Sequence, residues 1–255
     1  MELSAHERKN RAFWDRFSAE YQGKHGAQLD WRRPGGWGVW HLPESELRVL
    51  GDVRDKDVLE LGCGAAQWSI RLAKSGARVV ALDTSAEQLA AASRLMVEAA
   101  VEFPLVLASA EHVPMPDAAF DVVFCDHGAM TFANPFHTIP EAARLLRAGG
   151  LLAFNMATPF LDMCWDERAD TVGDRLQRDY FGLRYIESDN ISYQLPYGDW
   201  VDLFVRNGFA IEALLELRPP KEAQTSYQEF VTLEWAQRWP AEHIWKVRKR
   251  GGASP

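Results

Sequence analysis

A short apolar run that ends in two closely spaced glycines constrains the fold of this chain more than any other feature. The run covers 58–61, and Gly62 and Gly64 follow it. A helical pattern then covers 67–74, and a second apolar run ends at Asp83. A strand, a glycine-rich turn, a helix, a second strand and a terminal acid are typical of a βαβ unit that binds a nucleotide.

The residues around this turn discriminate between nucleotides. A dinucleotide-binding turn has the pattern G-x-G-x-x-G/A, but here Gln67 stands at the third small position, and the small Ala66 comes one place earlier. Glu60 would repel a diphosphate but can accept a hydrogen bond from an ammonium group. Asp83 can accept hydrogen bonds from both ribose hydroxyls. The implied ligand has a ribose and a cationic amino-acid end, which fits S-adenosylmethionine.

At this motif the chain resembles the class I S-adenosylmethionine-dependent methyltransferases, over about residues 57–158. Their first motif is an acid, any residue and then G-x-G-x-G, and this sequence follows it from Glu60 with Ala66 at the last glycine. The resemblance implies an enzyme that uses S-adenosylmethionine and releases S-adenosylhomocysteine. It also implies that the turn holds the cofactor through Glu60, Gly62, Cys63 and Gly64.

Apolar runs and helical patterns continue to alternate after this unit. This alternation predicts an α/β fold, a Rossmann-like seven-stranded and mostly parallel sheet with helices on both faces. The resemblance implies that the last two strands pair as an antiparallel hairpin. The further strands are predicted over 105–108, 121–125, 151–155, 209–217 and 243–248, and the helices over 89–100, from Thr138 to the Gly149-Gly150 pair, and over 197–207.

Two segments outside the sheet are expected to cover the site. Residues 1–50 are predicted to form an N-terminal helical and lid segment, with a helix over 1–22, a loop over 23–41 and a short helix over 44–50. Residues 51–255 then form the methyltransferase domain. Within it, an acidic and aromatic insertion over 160–197, after strand five, is expected over the carboxyl ends of the strands, where ligands bind in such sheets.

More cofactor-binding residues are expected where the second and third strands end. Thr84 follows Asp83, and Gln88 could reach the adenosine, although a helix-capping role explains Gln88 equally well. In the family an acid often meets the adenine after strand three, whereas this chain has Ser109 there. The adenine contact is therefore expected from a backbone amide of Ser109 or Ala110, or from Glu111.

The methionine end of the cofactor is expected at the fourth strand. The resemblance implies that backbone at Cys125 and Asp126 receives the amino group, and Cys125 is interpreted as a backbone contributor rather than a nucleophile. Tyr21 and Trp40 lie in the segment that, by resemblance, closes over this end. An aromatic face there would attract a sulfonium.

His127 is the candidate general base, because burial beside a carboxylate would hold its pKa near neutrality. An imidazole held by a structural hydrogen bond explains the residue equally well. His41, Tyr193 and Tyr197 are the candidate substrate-binding residues. A phenol or a carbon acid would need such a base, whereas a neutral amine would need little help, so the nucleophile stays open between O, N and C.

Charge and composition limit the classes of molecule that could accept the methyl group. The net charge of −8 argues against nucleic acid, because phosphate binding needs a basic face, and aromatic segments outside the cofactor motif favour a small, partly apolar molecule. The three cysteines show no metal-ligand spacing, and we expect no metal. Their odd number suggests a reducing cytoplasm, and no apolar stretch is long enough for a membrane span. The sequence indicates no oligomeric state.

Three other functions remain open at this point. The basic cluster Lys246, Arg248, Lys249 and Arg250 could serve an RNA or protein methyltransferase, although a solvated terminus is the simpler explanation. An NAD-dependent oxidoreductase is disfavoured by Gln67 and Glu60. A protein that binds S-adenosylmethionine without transferring its methyl group would share every motif above, since fold does not settle function.

Overall fold

Seven strands form one sheet in a computed structural model that describes residues 3–251. The strands are β1 (Asp57–Leu61), β2 (Arg78–Asp83), β3 (Leu105–Leu107), β4 (Phe120–Asp126), β5 (Leu146–Ala157), β6 (Phe209–Glu216) and β7 (Glu242–Lys249). Their order across the sheet is β6-β7-β5-β4-β1-β2-β3, and only β7 runs antiparallel to its neighbours. The predicted mostly parallel sheet and its terminal antiparallel hairpin are confirmed.

Helices cover both faces of the sheet. They are α1 (Ala5–Leu29), α2 (Glu44–Leu47), α3 (Gln67–Lys74), α4 (Ala86–Ala99), α5 (Ala129–Phe132), α6 (Pro135–Leu145), α7 (Pro159–Cys164), α8 (Tyr197–Arg206) and α9 (Leu233–Arg238). None of these helices is both long and apolar enough to cross a bilayer.

Two hydrophobic clusters lie on opposite faces of the sheet. Val58 of β1 belongs to one cluster with Ile70 of α3, and Leu59 belongs to the other with Ile139 of α6. Successive residues of a strand point to opposite faces, so a strand covered by helices on both faces must be apolar throughout. This explains why the strands appear in the sequence as continuous apolar runs.

The N-terminal helix begins and ends later than predicted: α1 starts at Ala5, after its cap Ser4, and residues 1–2 of the predicted helix lie outside the described residues. The expected loop from residue 23 was wrong up to Leu29, because α1 continues through Gly23 and Gly26. Each glycine in a helix costs about 1 kcal/mol relative to alanine, and tertiary contacts of the last turns offset that cost. The ring of His25 stacks on Tyr227 at 3.8 Å, and Gln28 donates to the backbone oxygen of Val39.

Three other boundaries differ from the prediction. The helix expected over 44–50 ends at Leu47, because Arg48 has a φ of 50° and the Glu44 carboxylate accepts hydrogen bonds from the next backbone amides. α6 begins at Pro135 rather than near Thr138, because Asn134 caps it. β5 begins at Leu146, so the Gly149-Gly150 pair lies inside the strand.

Short hairpins surround the carboxyl end of the sheet. One pairs Gly36–Trp37 with Leu42–Pro43, in the segment that follows α1. Two more lie between α7 and α8, where Trp165–Asp166 pairs with Thr171–Val172, and Tyr185–Glu187 with Ile191–Tyr193. A 3-10 turn at Tyr180–Gly182 lies between these two. Residues of the last two hairpins face the cavity described below.

Gly62→Ala should lower the free energy of unfolding by about 2–4 kcal/mol, because a methyl group there adds a collision with the Ala129 backbone nitrogen to the strain of a positive φ. Gly51→Ala is the matched control. Gly51 has a φ of +67° but nothing within 4 Å of an added Cβ, so Gly51→Ala should lower the free energy of unfolding by only about 1 kcal/mol. Urea unfolding measures both variants, and equal losses would contradict the predicted collision.

Candidate cofactor and acceptor site

A cavity of about 780 Å³ lies over the carboxyl ends of the parallel strands. Its wall includes the turns that follow β1, β2, β3, β4 and β5. α1 and the two hairpins between α7 and α8 also contribute side chains to it. Ligands of open α/β sheets bind at this edge, so the cavity is the candidate functional site.

The glycine-rich turn after β1 is held rigidly beside β2. The backbone nitrogens of Gly62 and Cys63 both donate to the Leu82 oxygen, at 2.8 and 2.9 Å. The Gly64 nitrogen donates to Asp83 Oδ2 at 2.8 Å. An added Cβ on Gly64 would have no atom closer than 3.8 Å, so this part of the turn is open to a ligand.

Asp83 is a buried carboxylate at the cavity wall. Its Oδ1 accepts from the Ser85 nitrogen and its Oδ2 from Gly64, and each oxygen keeps a second lone pair. Burial raises the pKa of Asp83 to about 6. Thr84 also lines the cavity. The position and acceptor capacity of Asp83 suit the two hydroxyls of a ribose.

A chain of glutamine side chains joins α1 to the cofactor turn. Gln67 donates to Gln22 Oε1 at 2.8 Å, and Gln22 donates to Gln88 Oε1 at 3.1 Å. All three residues line the cavity. The backbone nitrogen of Gln88 also donates to the Ser85 hydroxyl, which caps α4. Gln88 therefore belongs to the first turn of α4 and also lines the cavity.

Glu60 lies at the opposite end of the turn and is also buried. Its Oε2 accepts from the nitrogen and hydroxyl of Ser69, at 3.0 and 2.5 Å, and so supports the first turn of α3. Burial raises the pKa of Glu60 to about 8. Since both bonds go to Oε2, Oε1 is left for a ligand, and a cation beside it would favour the charged carboxylate.

His127 is paired with a carboxylate that lies far away in the sequence. Its Nε2 lies 2.5 Å from Oε1 of Glu242, the first residue of β7. Burial alone would lower the pKa of His127, but the hydrogen bond and charge of Glu242, with the charge of Asp126, raise it above its ordinary value. An Nε2–H donated to Glu242 leaves the Nδ1 lone pair of a cavity-lining imidazole to accept a proton.

Asp126 organises the same corner of the cavity. Its carboxylate accepts from the Gly38 nitrogen, from Trp68 Nε1 and from Asn155 Nδ2. Burial raises the pKa of Asp126. The oxygen Oδ1 of Asn155 is buried without a partner in the described part of the chain, so this corner keeps an unused acceptor.

The structure places five of the predicted site residues away from the cavity wall. Glu111 accepts from His6, His137 and the Asn134 nitrogen, so its placement does not support the expected adenine contact. The Cys125 thiol accepts from the nitrogens of Gly128 and Met130, and burial raises its pKa to about 12. The remaining three are Trp40, His41 and Tyr197.

Each of these three side chains has another environment that explains its position. Trp40 is buried in the hydrophobic cluster on the α3 face, so it offers no face to a sulfonium. His41 bonds to the Pro34 backbone oxygen. The Tyr197 hydroxyl lies 3.3 Å from His243. Trp40 and His41 belong to the hairpin after α1, whose packing the sequence did not reveal.

The other predicted residues do line the cavity. Ser109 and Ala110 lie at the end of β3, and Tyr193 lies in the hairpin before α8. Tyr21 reaches the cavity from α1, with its hydroxyl 2.7 Å from that of Tyr227. Burial raises the pKa of Tyr21 to about 12. The cavity therefore brings together cofactor candidates from the sheet and aromatic candidates from outside it.

Sequence reasoning missed most of the contribution of α1. Glu7, Asn10, Trp14 and Tyr21 line the cavity, at intervals of three, four and seven residues. Such spacing places side chains on one face of a helix, so it was a usable signal. The polar Glu7 and Asn10 interrupt the apolar pattern of this face, and only Tyr21 was predicted from the sequence.

The fold also brings together a cluster that the sequence does not show. Possible ligand atoms of His6, Glu7 and Glu111 all lie within 4.8 Å of one another, a spacing that could hold a metal ion. The oxygens of Glu111 already accept hydrogen bonds from His6, from His137 and from a backbone amide. These bonds account for the position of Glu111 without an ion.

Comparisons with known proteins agree with this geometry. Residues 59–154 match a family model described as a methyltransferase domain. The ubiquinone biosynthesis O-methyltransferase of Azoarcus sp. (strain BH72) is 30% identical over 131 residues, which are 46% of this chain and 56% of that protein. The demethylmenaquinone methyltransferase of Mycobacterium bovis is 39% identical over 103 residues, which are 40% of this chain and 42% of that protein. The chain thus spans about half the length of the relatives it matches.

A solved structure extends the likeness to most of the fold. An S-adenosylmethionine-dependent methyltransferase from Mesorhizobium loti superposes with a TM-score of 0.65 at 20% identity, and the match covers 80% of this chain and 95% of that one. At that identity the match shows the shared fold. The family model covers only 59–154, so the parts of the cavity wall that come from α1 and from the two hairpins before α8 lie outside it.

The free energy of unfolding should fall as pH rises from about 5 to 8, because the folded chain holds a proton on Glu60 that the unfolded chain releases above the ordinary pKa of 4.5. Glu60→Gln removes this pH dependence. The free energy of unfolding of the variant should exceed that of the original chain by roughly 1–4 kcal/mol at pH of about 8.5, and the two should differ little at pH of about 5.

Urea unfolding at both pH values measures the Glu60 effect. Glu102→Gln, which removes an exposed carboxylate, is the control and should change stability by less than about 0.5 kcal/mol at either pH. A Glu60→Gln variant that is no more stable than the original chain at the higher pH would contradict the burial argument.

Proposed function

Since the chain belongs to the class I S-adenosylmethionine-dependent methyltransferases, we propose that it transfers a methyl group to a small, partly apolar molecule. One observation carries the proposal. Glu60 and Asp83, two buried carboxylates with unused lone pairs, flank the open backbone of Gly64 at the wall of one large cavity. A carboxylate for a cationic amino-acid end and another for a ribose are what this cofactor requires.

The residues present fit the cofactor in detail. Gly64 leaves open space above the turn, Asp83 keeps an acceptor on each oxygen, and Glu60 Oε1 can receive an ammonium group. Burial raises the pKa of Glu60 and Asp83, and no cationic side chain of residues 3–251 hydrogen-bonds to either carboxylate, although the charge of Arg71 partly lowers the pKa of Glu60. A ligand with a positive end supplies a cationic partner. S-adenosylhomocysteine, the expected product, shares the ribose and amino-acid ends.

The bound cofactor supplies an electrophilic methyl group on a sulfonium that is already a good leaving group. The work of the protein is then to hold the acceptor in line, exclude water and, for a protonated nucleophile, remove a proton. Tyr21 and Trp14 of α1 close the cavity on one side. Leu161 and Trp165, from the segment after β5, close another side, and this supports the proposal that 1–50 and 160–197 cover the acceptor.

His127 is the proposed general base. Its Nε2 is held by Glu242, so Nδ1 can take a proton from an acceptor hydroxyl or an acidic carbon. Glu242 is buried and also accepts from the Val39 nitrogen and from Asn155, which fixes the orientation of the pair. Glu242 is therefore a positioning residue, and it stabilises the imidazolium that forms after proton transfer.

The apolar side of the cavity supports the proposed class of acceptor, a small and partly apolar molecule. The apolar surfaces come from Trp14, Phe132, Leu161, Trp165 and Phe230, and the rings of Phe230 and His127 meet nearly at right angles, with their centroids 5.9 Å apart. A flat, apolar ring that carries a hydroxyl or an acidic C–H would fit this wall and reach His127. The relatives named for ubiquinone and demethylmenaquinone methylation support a ring-shaped acceptor. The choice between O, N and C nucleophiles stays open.

No observation favours the alternative of an RNA or protein substrate. Three members of the C-terminal basic cluster are engaged within the protein. Lys246 donates to the Arg48 oxygen, Lys249 donates to the Leu146 oxygen, and Arg248 pairs with Glu212. A protein that binds the cofactor without turnover would share the whole site, and a transfer assay separates that case from an enzyme.

Asp83→Ala should weaken the binding of S-adenosylmethionine and S-adenosylhomocysteine by at least about 10-fold, because each ribose hydroxyl loses a charged acceptor. Calorimetric titration of the original chain should give micromolar affinity for both ligands and none for NAD. Asp52→Ala removes an exposed aspartate outside the cavity and should leave both affinities unchanged. Absence of binding to either ligand, or tighter binding of NAD, would overturn the proposed function.

His127→Ala should lower kcat by roughly 10²–10⁴ while the affinity for S-adenosylhomocysteine stays nearly constant. The assay is methyl transfer to an acceptor chosen from a screen of phenols, carbon acids and amines. Unchanged turnover would leave His127 with a structural role only.

Glu242→Gln should move the acid limb of the kcat/KM profile to lower pH. The charge of Glu242 raises the pKa of His127, so its removal lets the imidazole lose its proton at lower pH. kcat should also fall, because Glu242 stabilises the imidazolium. Glu234→Gln, at an exposed site on α9, is the control and should show the original profile. An unshifted acid limb in Glu242→Gln would contradict the proposed pair.

A further inference from the structure

Glu7 of α1 is a buried carboxylate at the cavity wall, and one of its oxygens has no hydrogen-bond partner among residues 3–251. The residue is 8% exposed and lines the cavity. Its Oε2 accepts from the Ser4 nitrogen at 2.6 Å, as part of the capping box of α1. Its Oε1 is buried with no partner within hydrogen-bond distance in the described range 3–251, although the Ser109 hydroxyl lies near enough to lower the pKa of the carboxyl. A buried acceptor without a partner costs about 1–3 kcal/mol, so a ligand donor at Oε1 would remove a penalty.

Hydrogen bonds hold the beginning of α1 beside the end of β3. His6 Nε2 lies 2.6 Å from Oε1 of Glu111, which follows Ser109 and Ala110. One turn later, Asn10 donates to the backbone oxygens of Phe132 and Ile191. These bonds fix Glu7 at the part of the cavity that Ser109 and Ala110 line.

The order of the strands tells which part of an adenosine would lie there. The proposed ammonium contact lies at β1 and the proposed ribose contact at Asp83, the last residue of β2. β3 is the next strand in the same direction. A ligand that runs from β1 past β2 therefore places its base beside the end of β3. The turn directly after β3 brings no acid to the cavity wall, because Ser109 stands there and Glu111 is turned away.

We propose that Glu7 Oε1 accepts a hydrogen bond from the exocyclic amino group of the adenine, so that α1 supplies the carboxylate that the end of β3 lacks. The inference rests on the proposed cofactor. It makes Glu7 the residue that distinguishes a 6-amino purine from a 6-oxo purine. It also makes the cofactor site incomplete until α1 is docked.

The chemistry of Glu7 suits this discrimination. Burial alone would raise the pKa of Glu7, but the neighbouring hydroxyls of Ser109 and Ser4, with the Ser4 amide, hold it below its ordinary value. The side chain is thus a carboxylate at neutral pH and can only accept hydrogen bonds. An adenine amino group donates to it, whereas the 6-oxo group of a hypoxanthine would place a second acceptor against it and leave both unpaired.

Calorimetric titration with S-adenosylhomocysteine and its 6-oxo counterpart, S-inosylhomocysteine, tests the proposal. The original chain should prefer the 6-amino ligand by about 10- to 100-fold. Glu7→Gln should abolish or reverse that preference, because the amide nitrogen takes the place of Oε1 and can donate to a 6-oxo group but cannot accept from a 6-amino group. The amide oxygen that this substitution introduces can still accept from the Ser4 nitrogen, so the capping of α1 is kept.

Glu20→Gln is the matched control on the same helix, since Glu20 is exposed and lies outside the cavity wall. It should retain the original preference. Glu7→Ala is a second variant, and its thermal unfolding midpoint reports whether the fold is kept. It should weaken S-adenosylhomocysteine binding more than it weakens binding of the 6-oxo ligand.

The outcomes separate this inference from the proposed function. An original chain that binds neither ligand would overturn the cofactor and the role of Glu7 with it. An original chain that binds both equally, or a Glu7→Gln variant that keeps the original preference, would overturn the role of Glu7 alone and leave the cofactor standing.

Discussion

One buried carboxylate, Glu242, holds together the segments that form the acceptor side of the site. It accepts from the Val39 nitrogen after α1, from Asn155 of β5 and from His127 after β4. Gly38 packs so closely on this carboxylate that an added Cβ would collide with it. All three bonds end on Oε1, and a carboxylate buried to 1% exposure needs such donors, so the four segments must meet for Glu242 to be stable.

This dependence explains which parts of the site the sequence could predict. The turn at Gly62 and Gly64 and the acids Glu60 and Asp83 belong to one local unit, whose geometry follows from about thirty consecutive residues. Their positions at the cavity wall follow from the same pattern. The sheet was predictable for a similar reason, since each strand is an apolar run that helices bury on both faces.

The acceptor side could not be derived in this way, because its contacts join distant parts of the chain. His127 and Glu242 are separated by 115 positions, and nothing in either local sequence indicates the other. Trp40 and His41 looked like members of a lid, yet a two-stranded hairpin directs Trp40 into the core. Glu111 matched the expected position for the adenine, but two histidines from other segments hold it away.

The surplus of carboxylates around the cavity links these observations. Glu7, Glu60, Asp83 and Asp126 all line it, and burial raises the pKa of the last three. The guanidinium of Arg71 is also at the wall, but it donates to the backbone oxygens of Leu29 and Asp30 rather than to these acids. The excess of acidic groups at the wall favours a ligand that carries positive charge over a neutral ligand of the same shape. In the proposed complex, separate acids from β1, β2 and α1 would contact the polar groups of the ligand, and the acid from α1 would do so only while that helix covers the cavity.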